Sequence, residues 1–172
     1  FLAGRAALKL GAGRVYLGLL DPQPPACDLL QPELMLRRPA ALLQADLTAL
    51  ACGPGLGSSL DAIELLEAAI ASELPLLLDA DALNLVASEG NLQVALASRG
   101  NPAILTPHPA EAARLLECGT AEVQADRIAA AQGRLSILLE KQDSLRSDPL
   151  AATFTLVPPA RPPHEAPHFC RR

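Results

Sequence analysis

At 172 residues and 18.0 kDa the chain has the size of one domain with a single core. Half of its residues are hydrophobic, but only 2% are aromatic and none is Trp, so the core must be built from Leu, Ala, Val and Ile. That composition favours helices packed on a sheet over a small β-sandwich. A net charge of −5, a pI near 5.1 and scattered basic residues leave no basic field, and a nucleic-acid partner is not expected.

Cys27, Cys52, Cys118 and Cys170 lack C-x-x-C spacing, which favours reduced thiols in a cytoplasmic protein over a disulfide framework or a metal finger. No apolar run reaches the ~20 residues that a membrane helix needs, so no membrane partner is expected. The opening FLAGRAALKLGAG is interrupted by Arg5 and Lys9 and reads as an amphipathic helix rather than a signal peptide. With no initiator Met before it, this stretch is expected to be the middle of a domain rather than its start.

In chain order, residues 3–10 repeat apolar side chains at helical spacing, and Gly11 and Gly13 follow as caps. Residues 14–20 (RVYLGLL) read as a strand. Residues 33–37 fit a strand or a loop, and 39–44 one helical turn or two. A buried strand over 47–52 runs into Gly53-Pro54-Gly55-Leu56-Gly57, and residues 60–72 form a periodic helix with Ile63, Leu66 and Ile70 on one face. The next strand, 75–78, stops at Asp79 and Asp81; a helix from 82 to about 86 and a polar connection over 89–100 follow. Strand 103–105 stops at Thr106-Pro107-His108-Pro109, with Pro109 opening a helix that ends near Cys118-Gly119. Thr120 then reads as the cap of a helix to about residue 132, and 137–139 as one more strand. From residue 157 prolines crowd out regular elements, so the tail 158–172 is expected to be disordered. Strand and helix alternate, the pattern of an α/β domain with a mainly parallel sheet.

Open parallel sheets bind ligands beyond the carboxyl ends of their strands. The chemistry-bearing residues gather there. The glycine-rich turn could let backbone N–H groups approach an anion at a helix N-terminus, or be a tight turn with no ligand; it is neither a Walker loop nor a dinucleotide fingerprint. Asp79 and Asp81 could hold a metal or orient a hydroxyl with Asn84 one turn on, while Asp81 could equally cap the helix at Ala82. His108 between two prolines reads as a substrate contact or a solvated loop histidine, and Glu111 as an acid favoured in a first helical turn. His164 and His168 fall in the tail and read as solvated.

The ordered set RAALKLGAGRVYLG, ACGPGLGSS, LLLDADALN, ILTPHPAEAARLL and VQADRIAAA resembles the ADP/ATP-dependent NAD(P)H-hydrate dehydratases of the ribokinase-like superfamily, over about residues 2–131. The resemblance implies a three-layer α/β/α ribokinase-like domain with a mainly parallel sheet, incomplete at both ends, over residues 1–157. It implies nucleotide-driven dehydration of (S)-NAD(P)H hydrate, NADHX or NADPHX, using ADP or ATP and Mg2+, in a homo-oligomer when intact. Gly55 and Gly57 would contact the hydrated dinucleotide and His108 would line the same site. Asp79, Asp81 and Asn84 would lie at the strand end nearest the phosphates or metal, and Thr106 and Glu111 would shape the pocket. Lys141 and Ser144 would stand at the nucleotide loop, where Glu140-Lys141 replaces the Lys-Gly of the family. The Asn-x-Gly-Asn and Gly-Thr-Gly-Asp loops, the latter carrying the catalytic Asp, do not occur in the sequence, so little or no turnover is expected. The alternatives are a ribokinase-like vitamin-precursor kinase, against which the TPHPxE element counts, and a non-catalytic truncated product.

Overall fold

The computed structural model describes residues 1–131 and the backbone of 152–154. The expected strand at 137–139, the loop carrying Lys141 and Ser144, and the tail with His164, His168 and Cys170 lie outside the described residues.

Helix α1 (Leu2–Lys9) leads into β1 (Tyr16–Gly18), which pairs in parallel with β2 (Met35–Arg37), so the ambiguous segment is a strand. Helix α2 (Pro39–Leu42) is a single turn started by its proline. The second sheet is four-stranded and wholly parallel, in the order β3 (Leu50–Cys52), β4 (Leu76–Leu78), β5 (Ala103–Leu105), β6 (Ala152–Phe154). Between these strands run α3 (Leu60–Ala71), α4 (Asp81–Ser88), α5 (Gly90–Ala97), α6 (Pro109–Leu115), α7 (Thr120–Ala125) and α8 (Arg127–Ala129). The α/β class and the parallel pairing are as expected from the alternation of elements.

Parallel register puts Cys52, Leu78 and Leu105 in one row and Leu50, Leu76 and Ala103 in the next. These residues share a sheet face, and they pack with Leu66 and Ile70 of α3, Leu83 and Val86 of α4, and Leu92 and Leu96 of α5 in one cluster. Each such fully buried aliphatic side chain contributes about 1.5–3 kcal/mol. The row between them points to the opposite face, where Ile104 is 43% exposed. A smaller cluster joins α6 to α7 through Ala112, Ala113 and Val123.

Three expectations are corrected. The polar connection over 89–100 is largely helix α5. Leu92 and Leu96, four apart, supply its buried stripe, while Gly90, Asn91 and exposed Val94 hide the periodicity. Thr120 is the first helical residue and Gly119 takes the capping position without a side-chain bond. The helix expected to run to about 132 breaks at Asp126, whose Oδ1 accepts from Ala129 N at 2.8 Å and starts α8.

Two charged side chains bind segments from within. Arg5 on α1 holds Asp28 through Nε and Nη2 at 2.5 and 2.6 Å. The Arg5 hydrogen bonds, opposed by desolvation, hold the Asp28 carboxyl down at about 2. Its share of stability is therefore complete above the ordinary carboxylate range near pH ~4 and is lost as pH falls toward 2. Arg99, after α5, donates through Nη1 to the carbonyls of Ile70 and Ser72 and through Nη2 to that of Leu74, closing the C-terminal end of α3.

Candidate functional site

Strands β3, β4 and β5 are neighbours and parallel, so their carboxyl ends deliver three turns side by side: residues 53–57, 79–81 and 106–109. Backbone bonds lace these turns together. Asp79 N donates to Cys52 O at 3.1 Å and Thr106 N to Leu78 O at 3.1 Å. The Thr106 hydroxyl reaches the same Leu78 carbonyl at 3.3 Å, so Thr106 closes the joint between two strand ends.

Gly53 is the residue on which the first joint depends. Its φ is +134°, and a Cβ there would lie 1.8 Å from Asp79 O. Only a glycine lets the β3 turn pass so close to the β4 turn. Gly55 and Gly57 also have positive φ, 72° and 76°, but a Cβ on either would meet open space. Their freedom serves the path of the loop and leaves its outer surface bare. Under the turn, burial pushes the Cys52 thiol up to about 11, which makes it an inert packing group at neutral pH.

In the β4 turn Ala80 stands at φ 49°, ψ −117°, a conformation that side chains other than glycine rarely adopt. It is the N-cap of α4, so the helix begins at Asp81 and the Asp81 side chain does not cap it. Asp81 instead turns back to the glycine loop, where Oδ2 accepts from Gly57 N at 2.9 Å. Asn84, one turn on, accepts at Oδ1 from Arg114 Nη1 of α6 at 2.8 Å. Asp79 is half-buried at the base of this turn.

His108 is neither a free loop histidine nor a simple polar contact. It is the N-cap of α6, its Nδ1 accepting from Ala110 N at 3.1 Å and from Glu111 N at 3.4 Å. Glu111 answers with Oε2 on His108 N at 2.8 Å, completing a capping box, while its Oε1 stands 3.1 Å from His108 Nε2. An Nδ1 that accepts two backbone N–H groups places the ring proton on Nε2, facing Glu111. Glu111 is buried, whereas the His108 side chain stays 59% exposed. The exposed part of His108 is therefore its ring face and carbon edge, since both nitrogens are engaged.

A model of the NAD(P)H-hydrate dehydratase family matches residues 1–152. The chain belongs to that family. It is 42% identical over 133 residues to the ADP-dependent (S)-NAD(P)H-hydrate dehydratase of Neisseria meningitidis, covering 75% of this chain and 45% of that one. A bifunctional NAD(P)H-hydrate repair enzyme of Coxiella burnetii is 40% identical over 134 residues, covering 75% and 26% of the two chains. The chain thus spans less than half the length of these relatives. Among solved structures, the ADP/ATP-dependent NAD(P)H-hydrate dehydratase of Bacillus subtilis co-crystallized with ATP/Mg2+ superposes with a TM-score of 0.55 at 28% identity, over 76% of this chain and 46% of that one. YxkO of B. subtilis, a member of the UPF0031 family, gives 0.58 at 27% identity, over 81% and 51%.

Six of the eight residues expected at the substrate site, Gly55, Gly57, Asp79, Asp81, Thr106 and His108, lie in these turns, and Asn84 and Glu111 stand in the first turns of the helices that follow, α4 and α6. Sequence reasoning passed over Gly53 as the obligatory glycine and Ala80 as the strained hinge; both sit directly at strand ends, the signal that could have marked them. Among the described residues no group of three or more His, Cys, Asp or Glu side chains could hold a metal ion, and no helix is long and apolar enough to cross a membrane.

Proposed function

We propose that the chain binds the hydrated nicotinamide of NAD(P)H hydrate at the carboxyl ends of β3, β4 and β5, in the ADP- or ATP-dependent dehydration that its relatives' names describe. The observation that carries the reading is the convergence of the glycine turn and the TPHPxE cap on adjacent strand ends in a member of this family. Hydroxide is a poor leaving group near neutral pH, whereas a phosphorylated oxygen departs readily, so a nucleotide supplies the chemical drive. Mg2+ would offset the phosphate charge.

The chain's own part is binding and orientation. Gly55 and Gly57 offer a turn without side chains, against which the puckered, hydroxyl-bearing ring can lie. His108 offers an aromatic face locked in place by its own cap. Asp79 and Thr106 form the floor between the strand ends. Lys141 and Ser144 are the proposed nucleotide contacts. We place the activity in the cytoplasm, in a homo-oligomer; the unpaired Cys27, Cys52 and Cys118 suit a reducing setting.

Equilibrium binding of NADPH hydrate and of NADPH, followed by calorimetry, tests the reading. The hydrate is expected to bind more tightly. Asn is a good N-cap but has no aromatic face, so His108→Asn should keep the melting temperature and lose about tenfold in affinity for the hydrate. Equal affinity for hydrate and NADPH, or no effect of His108→Asn on hydrate binding, would remove the proposal.

A further inference from the structure

We infer that Asp81 is a positioning residue that holds the glycine turn through Gly57 and, by its charge, makes that turn selective for a neutral hydroxyl-bearing ring over phosphate. The inference rests on the proposed function and adds to it a residue and a rule of discrimination.

The geometry has three parts. A glycine turn ahead of a helix ordinarily presents free N–H groups to an anion. Here the Gly57 N–H is already taken by Asp81 Oδ2 at 2.9 Å, and Leu56 N is taken by Gly53 O at 2.9 Å. Ser59 Oγ takes a third, from Ala62 N at 3.2 Å, at the N-cap of α3. Two N–H groups of the turn and one of the first turn of α3 are therefore engaged, and the acceptor at Gly57 is a carboxylate at the mouth of the site.

The second part is the hinge. Ala80 adopts a strained backbone, and it does so where it turns the Asp81 side chain back across 24 residues of sequence to the loop. The third is Gly53, whose missing Cβ brings the two turns within reach of one another. A phosphate approaching Gly57 would meet the Asp81 carboxylate, a like charge at short range. A neutral ring has no such penalty, and a hydroxyl on it can donate to Asp81 Oδ1 while Oδ2 keeps Gly57.

Three proteins distinguish the alternatives: the natural chain, Asp81→Ala and Asp81→Asn. Asn keeps an oxygen for the Gly57 N–H but loses the charge. The readouts are the Gly57 amide proton shift and exchange rate by NMR, and affinities for NADPH hydrate and for inorganic pyrophosphate. In Asp81→Ala, Gly57 exchange should rise about tenfold and hydrate affinity fall about tenfold. Asp81→Asn should restore both. Pyrophosphate should shift the Gly57 resonance in both variants and leave it unmoved in the natural chain. Unchanged Gly57 exchange in Asp81→Ala overturns the positioning role, and pyrophosphate binding at Gly57 in the natural chain overturns the selectivity. If the natural chain binds no hydrate, the proposed function falls, while the Gly57 and pyrophosphate readouts still decide the role of Asp81.

Discussion

Helix α3 is fastened at both ends by a charged side chain arriving from later in the chain, and the two fastenings are built on opposite terms. At its C-terminal end Arg99 collects the carbonyls of Ile70, Ser72 and Leu74 from a buried position. These are the acceptors that a helix end leaves unsatisfied, and a guanidinium suits the negative end of the helix dipole. Before its N-terminal end Asp81 makes one bond, to Gly57, in the open. Its neighbours there are a strained Ala80 and a run of glycines with positive φ. Redundant, buried bonds belong to the end that only has to stay in place. A single exposed bond on a strained hinge belongs to the end proposed to meet ligand.

Removing Arg99 should have the largest effect. Arg99→Ala strands three carbonyls at a buried helix end and should lower stability by about 4 kcal/mol, read as the midpoint of urea unfolding. Arg99→Lys should recover less than half of this, because a point charge cannot reproduce the guanidinium fork. A loss below about 1 kcal/mol would mean that water replaces the arginine and that the end is not clamped.

The open end should give way to a smaller insult. Gly53→Ala adds one methyl group where Asp79 O stands 1.8 Å from the Cβ position, at a φ of +134°. Backbone must move, and the expected cost is about 3 kcal/mol by thermal or urea unfolding. Gly55→Ala, with open space around it, is the control; its strain comes from φ alone and should cost about 1 kcal/mol. Equal costs at the two positions would mean that the close approach of the turns contributes nothing.

The difference between the two ends also explains what could be read from sequence. Apolar runs that stop at Asp79 or at Thr106-Pro107 announce strand ends, and the parallel order places them together, so the convergence of these turns was legible. Its internal wiring was not. The Gly57 to Asp81 bond joins positions 24 apart, and nothing local to either marks the other. The cap formed by His108 was hidden because Ser, Thr, Asp and Asn are the usual capping residues, although Glu111 three residues on was the other half of the box. Arg99 falls in the stretch expected to be a polar connection, where the short stripe of Leu92 and Leu96 left helix α5 unrecognised. A charged residue in such a stretch gives no sign of burial until the partner carbonyls are in place.

The smallest effect runs the other way. Ala80 at φ 49°, ψ −117° occupies the backbone region that a first central turn residue of the II′ kind reserves for glycine. Ala80→Gly relieves that strain, offset in part by the greater freedom that glycine gives the unfolded chain, so a net gain of about 1 kcal/mol is expected. The midpoint of urea unfolding should rise with an unchanged slope. The same glycine would loosen the hinge that aims Asp81, so Gly57 exchange should quicken even as the whole domain becomes more stable. Global stability and local order would then move in opposite directions at one residue, which a purely structural turn would not do. A fall in stability with unchanged Gly57 exchange would show that the β4 turn relaxes elsewhere and that Ala80 stores no strain for the site.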